Sequence, residues 1–395
     1  MRLDKTNKRA AAWSVASHMN SLVFNILLFL VGFALLTGGA DFLVRGASRL
    51  AVRLNVPLVV IGLTVVAFGT SLPELVVSLL ANLQGGTKAN LAIGNVVGSN
   101  IANLALILGV VAVLRPLPVD RQLIQREYPL MIGVSLLFTL MAWDGQIVRW
   151  EGVLLFLGLL GFIYWSYVGS RSLAEEKESE ALEYIGGEAE VSPPPEDSSD
   201  AAGGEAEGSE AELTRAQERI ARAARNPLLP AAISGLFRSL LLRDIGMVVL
   251  GISILVFGAD LLVDSATFIA RYFGVSELVI GLSLVALGTS LPELAASVVA
   301  ILYKRGDIAL GNLVGSNLFN MLAIVGITAG VRALPAPLTM RCVDFPAMLV
   351  VAVLPLLLVL RAPHLVSRWK GAVMLTLYLA YTIGIFVIEQ GNGVC

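Results

Sequence analysis

Long uncharged runs alternate with short charged loops along most of the chain. These runs cover, in order, 10–40, 54–73, 75–87, 89–114, 128–143, 152–170, 245–259, 278–292, 294–303, 308–331, 345–360 and 371–388. A helix needs roughly 20 apolar residues to cross a bilayer. Several runs are too short alone, but two pairs are each split by one glutamate, and joining them gives spans at about 56–83 and 277–303. The pattern therefore predicts an all-α polytopic membrane protein with ten transmembrane helices, five on each side of a polar segment.

The polar segment, residues 172–237, has the composition of a disordered linker. Residues 174–212 hold 14 of the 30 acidic residues of the chain and a single base, with few large apolar side chains. Such a segment cannot bury enough apolar surface to fold alone. It divides the chain into a first five-helix half, 1–171, and a second five-helix half, 238–395.

The remaining composition narrows the possible functions. Charged residues make up only 15% of the chain, against roughly 25% in a typical soluble domain, which argues against a soluble enzyme and against a nucleic-acid binder. The two cysteines show no metal or redox spacing. No nucleotide-binding or hydrolase motif is found, so we expect neither an enzyme nor a bound cofactor, but a protein whose partner is the lipid bilayer.

The two halves share two sequence blocks. Residues 58–74 read LVVIGLTVVAFGTSLPE and residues 277–293 read ELVIGLSLVALGTSLPE, with 12 of 17 positions identical. The blocks GNVVGSNIANL at 94–104 and GNLVGSNLFNM at 311–321 share seven of 11 positions. Because each half has an odd number of predicted helices, equivalent helices cross in opposite directions, which is the inverted-repeat plan of secondary transporters.

Loop charge predicts the orientation of this plan. If the linker is cytoplasmic and both termini are outside, the short inner loops carry eleven Lys and Arg residues and the outer loops carry five. This excess agrees with the positive-inside rule, although the basic residues before the first helix oppose it. We therefore expect the linker on the cytoplasmic side.

Glu74 and Glu293 occupy equivalent positions in the middle of predicted spans. An ionised carboxylate there costs about 2.5 kcal/mol or more on insertion scales unless it is paired or faces a wet cavity. No lysine or arginine lies near either residue in the sequence. One such glutamate is explained by protonation or by hydrogen bonds within the protein, but two in identical hexapeptides indicate a mobile cation as the partner.

The hexapeptide Gly-Thr-Ser-Leu-Pro-Glu predicts how such a site forms. Pro73 and Pro292 have no N–H and clash with the carbonyl four residues back, so each helix is expected to open just before its proline. Freed carbonyls and hydroxyls are tolerated in a membrane where they line a cavity or bind an ion. An all-oxygen site of this kind suits hard cations such as Ca²⁺ and Na⁺. The hydroxyl residues in the two openings are Thr70, Ser71, Thr289 and Ser290.

The second block supplies further oxygen atoms. Ser99 and Asn103 are four residues apart, as are Ser316 and Asn320, so each pair shares one helix face. We expect their side-chain oxygens to complete the site opposite the glutamates. For the other amides of this block we favour interhelical hydrogen bonds over ion binding, namely for Asn95, Asn100, Asn312 and Asn317.

The paired blocks resemble the α-repeats of the cation/calcium exchanger superfamily, and the sodium/calcium exchanger branch with its compact prokaryotic members is the most similar. The match covers about 34–113 and 253–330. The resemblance implies a site near the bilayer midplane of the plasma membrane, where Ca²⁺ is exchanged for Na⁺ by alternating access. It also implies the set of ligands, which are Glu74, Glu293, Thr70, Ser71, Ser99, Asn103, Thr289, Ser290, Ser316 and the backbone carbonyls of Ala67 and Ala286.

Asn320 departs from the pattern of this family, because sodium/calcium exchangers commonly have aspartate there. The site then holds two formal negative charges, which one Ca²⁺ balances and several Na⁺ overcompensate. Na⁺ stoichiometry, K⁺ dependence and coupling to H⁺ therefore stay open. Exchange of Ca²⁺ for H⁺, transport of another divalent cation and, less favoured, a passive cation channel remain as alternatives. The oligomeric state also stays open, and a monomer is consistent with the sequence.

Overall fold

The computed structural model describes residues 2–54, 56–166, 168, 228–274, 288–360 and 364–390. These residues form helices and four two-residue strands. Ala286 and residues 172–227 of the predicted linker lie outside the described residues. The remainder of the predicted linker is helical, because the helix that opens the second half begins at Leu228.

Six helices come from the described part of the first half. They are α1 (Arg2–Leu54), α2 (Leu58–Thr70, with Gly62–Val66 π-helical), α3 (Leu72–Gln84), α4 (Thr87–Ile101, π-helical Ala102–Ile107 and Leu108–Leu114), α5 (π-helical Leu123–Glu127 and Tyr128–Met141) and α6 (149–166). A 3₁₀ turn, Ala142–Asp144, follows α5.

Five helices come from the described part of the second half. They are α7 (Leu228–Tyr272), α8 (Leu291–Leu302), α9 (Gly306–Phe319, π-helical Asn320–Ile324 and Val325–Val331), α10 (π-helical Met340–Asp344 and Phe345–Val359) and α11 (Arg368–Gln390).

Within the described residues, six helices are long and apolar enough to cross a membrane, or seven when the bent pair α2–α3 counts as one span. The helical membrane fold is thus confirmed, whereas the predicted total of ten is not reached by this measure. The three other predicted spans appear as shorter or less apolar helices. These are Tyr128–Met141, the segment 149–166 and Leu291–Leu302.

The helix opening predicted from Pro73 is present. The chain turns at Ser71, and α2 and α3 meet at an angle of 45°. Ser290 has nearly the same backbone angles, φ −90° and ψ 2° against φ −86° and ψ 5° at Ser71, and α8 begins directly after it. Each proline lies at the start of the helix that follows, where its missing N–H leaves no internal helical bond unmade.

The π-helical segments recur at equivalent positions of the sequence repeat. The alignment of GNVVGSNIANL with GNLVGSNLFNM also aligns these segments. Leu123–Glu127 corresponds to Met340–Asp344, and Ala102–Ile107 corresponds to Asn320–Ile324. A π-helical turn widens the helix locally and is frequent at functional sites. The repeat therefore extends to backbone detail that the sequence pattern does not reveal.

Two short strand pairs tie the halves together. β1 (Leu117–Pro118) pairs antiparallel with β4 (Leu365–Val366), and β2 (Gln146–Ile147) pairs antiparallel with β3 (Leu334–Pro335). Each pair joins a loop of one half to a loop of the other. These four strands did not figure in the sequence prediction, since two residues are too few to give an alternating pattern.

Glycines let α1 and α7 lie in direct contact. A Cβ atom at Gly39 would overlap the backbone of Leu255, and one at Gly251 would lie 2.5 Å from the nitrogen of Leu43. α9 is buried along its length, whereas α1, α7 and α11 expose large apolar side chains such as Phe33, Phe257 and Leu379. The polar residues of the repeat blocks therefore lie in the middle of the bundle, around α9.

Candidate functional site

The two helix openings bring the predicted glutamates into the interior. Glu74 lies in the first turn of α3 and Glu293 in the first turn of α8, and their exposed fractions are 1% and 0%. Ser71 Oγ, in the opening of the first half, donates a hydrogen bond to Glu293 Oε1 at 3.0 Å. The two halves therefore meet at one buried region that contains both carboxylates.

The two buried glutamates have no cationic partner among the described residues. Within the described residues, no Lys, Arg or His side chain pairs with Glu74 or Glu293, although Asp41 pairs with Arg45 and the fully buried Asp244 pairs with Arg53. Burial of an isolated ionised carboxylate is expensive, so such groups are found paired or bound to a metal ion. Such a carboxyl group is stabilised either by a bound cation or by a proton.

Oxygen atoms without a hydrogen-bond partner are concentrated on the predicted site residues. Six of the thirteen such buried side-chain atoms in the described residues belong to them. Native structures leave few buried polar atoms unsatisfied, and all six atoms can act as ligands of a hard cation. They are Glu74 Oε1, Glu74 Oε2, Glu293 Oε2, Asn103 Oδ1, Asn320 Oδ1 and Ser316 Oγ.

The hydroxyl residues of the two openings bond across the halves. Thr70 Oγ1 is 3.2 Å from Asn312 Oδ1, and its repeat equivalent Thr289 Oγ1 is 3.2 Å from Asn95 Oδ1. In both bonds the threonine donates its proton, so its oxygen lone pairs stay available to a cation. Ser290 Oγ similarly lies 3.3 Å from Ser99 Oγ.

The backbone carbonyl of Ala67 lies at the first opening. It accepts the backbone N–H of Ser71 at 3.0 Å and lies 3.3 Å from Thr70 Oγ1, whose single proton it shares with Asn312 Oδ1. A cation at this carbonyl would therefore compete with the Thr70 hydroxyl. The equivalent Ala286 lies outside the described residues.

Asn95 and Asn312 make the interhelical hydrogen bonds predicted for them. Asn95 Nδ2 donates to Ser78 Oγ at 3.0 Å, and Asn312 Nδ2 donates to Ser297 Oγ at 3.2 Å. Ser78 and Ser297 lie outside the two repeat blocks that marked the candidate residues. They occupy equivalent positions of the repeat, so extending the first block by four positions would have found them.

The chemistry of the donors limits what the site can bind. The described part of the chain contains no cluster of three or more His, Cys, Asp and Glu side chains of the kind that binds zinc or copper. The donors at the site are two carboxylates together with hydroxyl, amide and backbone carbonyl oxygens. Such a set favours Ca²⁺, Na⁺ and similar hard cations over zinc or copper, which take imidazole or thiolate ligands.

The fold defines an integral membrane protein with a duplicated set of buried oxygen donors at its centre. The model of the sodium/calcium exchanger protein family matches residues 24–168 and 244–387. The chain belongs to this family. Its repeat blocks and both glutamates fall within the two matched ranges.

Relatives cover nearly the whole chain. The sodium/calcium exchanger MaX1 of Methanosarcina acetivorans is 32% identical over 93% of this chain and 100% of its own length. The inner membrane protein YrbG of Escherichia coli is 33% identical over 88% of this chain and 92% of its own length. A structure of the sodium-calcium exchanger NCX_Mj, soaked with Na⁺ and without Ca²⁺, has a TM-score of 0.68 at 26% identity and covers 91% of this chain and 98% of that one.

Proposed function

We propose that the protein is a secondary antiporter that exchanges Ca²⁺ for Na⁺ at the site around Glu74 and Glu293. The observation that carries the proposal is the set of buried, unpartnered oxygens on both glutamates and on Asn103 and Asn320, as found among the described residues. Membership of the sodium/calcium exchanger family and the names of MaX1 and NCX_Mj support the same choice of ions.

Competition for one set of oxygens would couple the two ions. Ca²⁺ takes six to eight oxygen ligands, so a bound Ca²⁺ occupies most of the donors that Na⁺ needs. The two carboxylates neutralise one Ca²⁺. Because the site is buried, any further unbalanced charge there would be energetically expensive. Binding of one ion thus excludes the other, and a Na⁺ gradient drives Ca²⁺ in the opposite direction.

Alternating access needs an element that covers the site from either side. We assign this role to the pair α1–α7, whose close glycine contacts favour movement as one body. α7 packs on both helix openings, because Ile252 contacts Gly69 and Val263 lies against Gly288. A slide of the pair along the other helices would change which opening is covered.

The proposed architecture has ten transmembrane helices in two inverted repeats of five. The equivalence of Thr70–Asn312 with Thr289–Asn95, and of strand pair β1–β4 with β2–β3, supports a pseudo-twofold relation between the halves. Loop charge supports a cytoplasmic linker by the positive-inside rule. We place the protein in the plasma membrane.

Removal of either site charge tests the proposal. Glu74→Gln and Glu293→Gln keep the size of each side chain but remove one negative charge, so Ca²⁺ flux driven by a Na⁺ gradient should fall at least tenfold, equivalent to about 1.4 kcal/mol of lost ion binding. Flux of ⁴⁵Ca²⁺ is measured in proteoliposomes. Asp144→Asn, which removes an exposed carboxylate, is the matched control and should leave the flux unchanged. Undiminished flux in both glutamine variants would contradict the site assignment.

One observation keeps Ca²⁺/H⁺ exchange as a second candidate. Asn320 gives the site two carboxylates, and two protons neutralise them as well as one Ca²⁺ does. Flux that follows a pH gradient and ignores Na⁺ would favour this candidate. Competition by Mg²⁺ or Mn²⁺ tests for another divalent substrate, and Ca²⁺ flux without any counter-ion would favour a channel.

A further inference from the structure

Each asparagine expected to bind the cation is held by an asparagine of the other half. Asn103 Nδ2 donates to Asn317 Oδ1 at 3.1 Å, and Asn320 Nδ2 donates to Asn100 Oδ1 at 3.0 Å. All four side chains are buried. The two hydrogen bonds are equivalent, since Asn103 aligns with Asn320, and Asn100 with Asn317, in the second sequence block.

The NH₂ groups of the supporting asparagines lie near weak sulfur acceptors on the outer helices. Asn317 Nδ2 lies 3.7 Å from Met131 Sδ on α5, and Asn100 Nδ2 lies 3.9 Å from Met348 Sδ on α10. Asn317 Nδ2 also faces the backbone carbonyl of Asn100 at 3.5 Å. The NH₂ group of each supporting amide therefore points to an acceptor behind it, which turns its oxygen toward the ligand asparagine.

This orientation decides which end of the ligand amide is left without a partner. An asparagine side chain ends in an oxygen that accepts and an NH₂ group that donates, and the two ends are similar in size. Because Asn317 and Asn100 engage the NH₂ groups of Asn103 and Asn320, the Oδ1 atoms of those two residues are left without a partner among the described residues. A cation can bind the oxygen and is repelled by the NH₂ group.

We propose that Asn317 and Asn100 are positioning residues for cation binding. Asn317 orients Asn103, and Asn100 orients Asn320, so that each half directs one amide oxygen at the ion. The inference rests on the proposed function, because it takes Asn103 and Asn320 as ligands. Neither supporting asparagine touches the ion itself.

The hydrogen bond between Asn320 and Asn100 also accounts for a neutral residue at position 320. An aspartate there would place a carboxylate oxygen against Asn100 Oδ1, and two acceptors would face each other. Asn100 could avoid this only by turning its own oxygen toward Met348 Sδ, where it has no donor. The supporting amide is therefore matched to Asn320 and to a site with two carboxylates.

A double-mutant cycle on Ca²⁺ affinity tests the pairing. Asn103→Ala removes the ligand, and Asn317→Leu removes the acceptor that orients it. Each change should weaken Ca²⁺ binding about tenfold, the effect of roughly one lost hydrogen bond or ligand. The double variant should bind no more weakly than Asn103→Ala alone, because Asn317 acts only through Asn103. Calorimetric titration of the full chain in detergent with Ca²⁺ gives each affinity.

The matched control combines Asn317→Leu with Asn320→Ala. These residues are not bonded to each other, although both contact Asn100, so their effects should combine more nearly multiplicatively than those of the bonded pair. The cycle of Asn320→Ala with Asn100→Leu repeats the test at the second bonded pair. It replaces the first cycle if the Asn317→Leu variant does not fold. Thermal unfolding without ions separates the two causes, since a purely structural role would lower the unfolding temperature without coupling the affinities.

The outcomes separate this inference from the proposed function. Coupled losses within the pairs 103–317 and 320–100, with multiplied losses in the control, would support it. Multiplied losses within the bonded pairs would overturn it while leaving the ion site intact. A wild-type protein that binds neither Ca²⁺ nor Na⁺ would instead remove the proposed function.

Discussion

Asp41 and Asp244 differ from the two site glutamates in having arginine partners. Asp41 lies 2.9 Å from Arg45 at the surface, and Asp244, fully buried, has two arginine partners. Among the described residues, Glu74 has no partner for either carboxylate oxygen, and Glu293 has a partner for only one. A stable protein tolerates such groups when a ligand supplies the missing charge, which is the requirement that a transported cation meets.

The sequence could predict which residues are candidates but not how they contact each other. The duplicated blocks mark Ser71, Glu293 and Asn103 because equivalent residues recur in the other half. A repeat relates equivalent positions and carries no information about contacts between non-equivalent ones. The bonds Ser71–Glu293 and Asn103–Asn317 could therefore be found only in the structure.

Asn82 breaks the symmetry and gives a prediction about stability. Its Nδ2 donates to the carbonyls of Thr328 and Arg332 at the end of α9, at 2.9 and 2.7 Å, whereas the equivalent position in the second half is Ile301. Asn82→Leu leaves both carbonyls without this donor and should destabilise the protein by about 1–3 kcal/mol. Thermal unfolding in detergent measures the loss.

Ca²⁺ affinity should stay close to wild type in Asn82→Leu, because none of these atoms belongs to the ion site. Asn90→Ala, at a position without a hydrogen bond among the described side chains, is the control. An unfolding temperature equal to that of the control would show that the two carbonyls find other donors.

The proline openings and the π-helical turns are the helix features that shape the candidate site. Pro73 and Pro292 place a turn at Ser71 and Ser290, and a proline signal can be read directly from the sequence. The π-helical segments have no comparable signal, since they arise where packing widens a helix. The sequence therefore predicts where the helices open, while the wider turn that contains Asn103 depends on the packed structure.

Contact between α1 and α7 gives a prediction at this scale. A Cβ atom at Gly39 would overlap the backbone of Leu255, whereas one at the adjacent Gly38 meets nothing within 4 Å. Gly39→Ala should force the helices apart, cost about 1–3 kcal/mol of stability through overpacking and slow Na⁺-driven Ca²⁺ flux several-fold. Proteoliposome flux and thermal unfolding measure both effects.

Gly38→Ala is the matched control for that experiment. It makes the same chemical change one residue away and should be neutral or slightly stabilising, because alanine favours the helix by about 1 kcal/mol over glycine. Equal flux in the two variants would show that close contact between α1 and α7 is not needed for transport.

The whole molecule combines an apolar exterior with a polar centre shared by two related halves. The uncharged runs were sufficient to predict a helical membrane protein, and the family match confirms its class. The number of spans was harder to predict, because Tyr128–Met141 follows the polar residues Gln125, Arg126 and Glu127. Hydropathy weighs such residues equally whether they face lipid or pack inside the protein, and only the fold distinguishes the two.

Transport in both directions distinguishes Na⁺/Ca²⁺ exchange from the other candidate functions. Purified wild-type protein is placed in proteoliposomes, and ⁴⁵Ca²⁺ movement is recorded with Na⁺ inside, with Na⁺ outside, and with choline replacing Na⁺ on both sides at constant pH. We predict that Ca²⁺ moves against the direction of the Na⁺ gradient, reverses when that gradient is reversed and stops in choline. Ca²⁺ movement that is the same in all three conditions would contradict Na⁺/Ca²⁺ exchange.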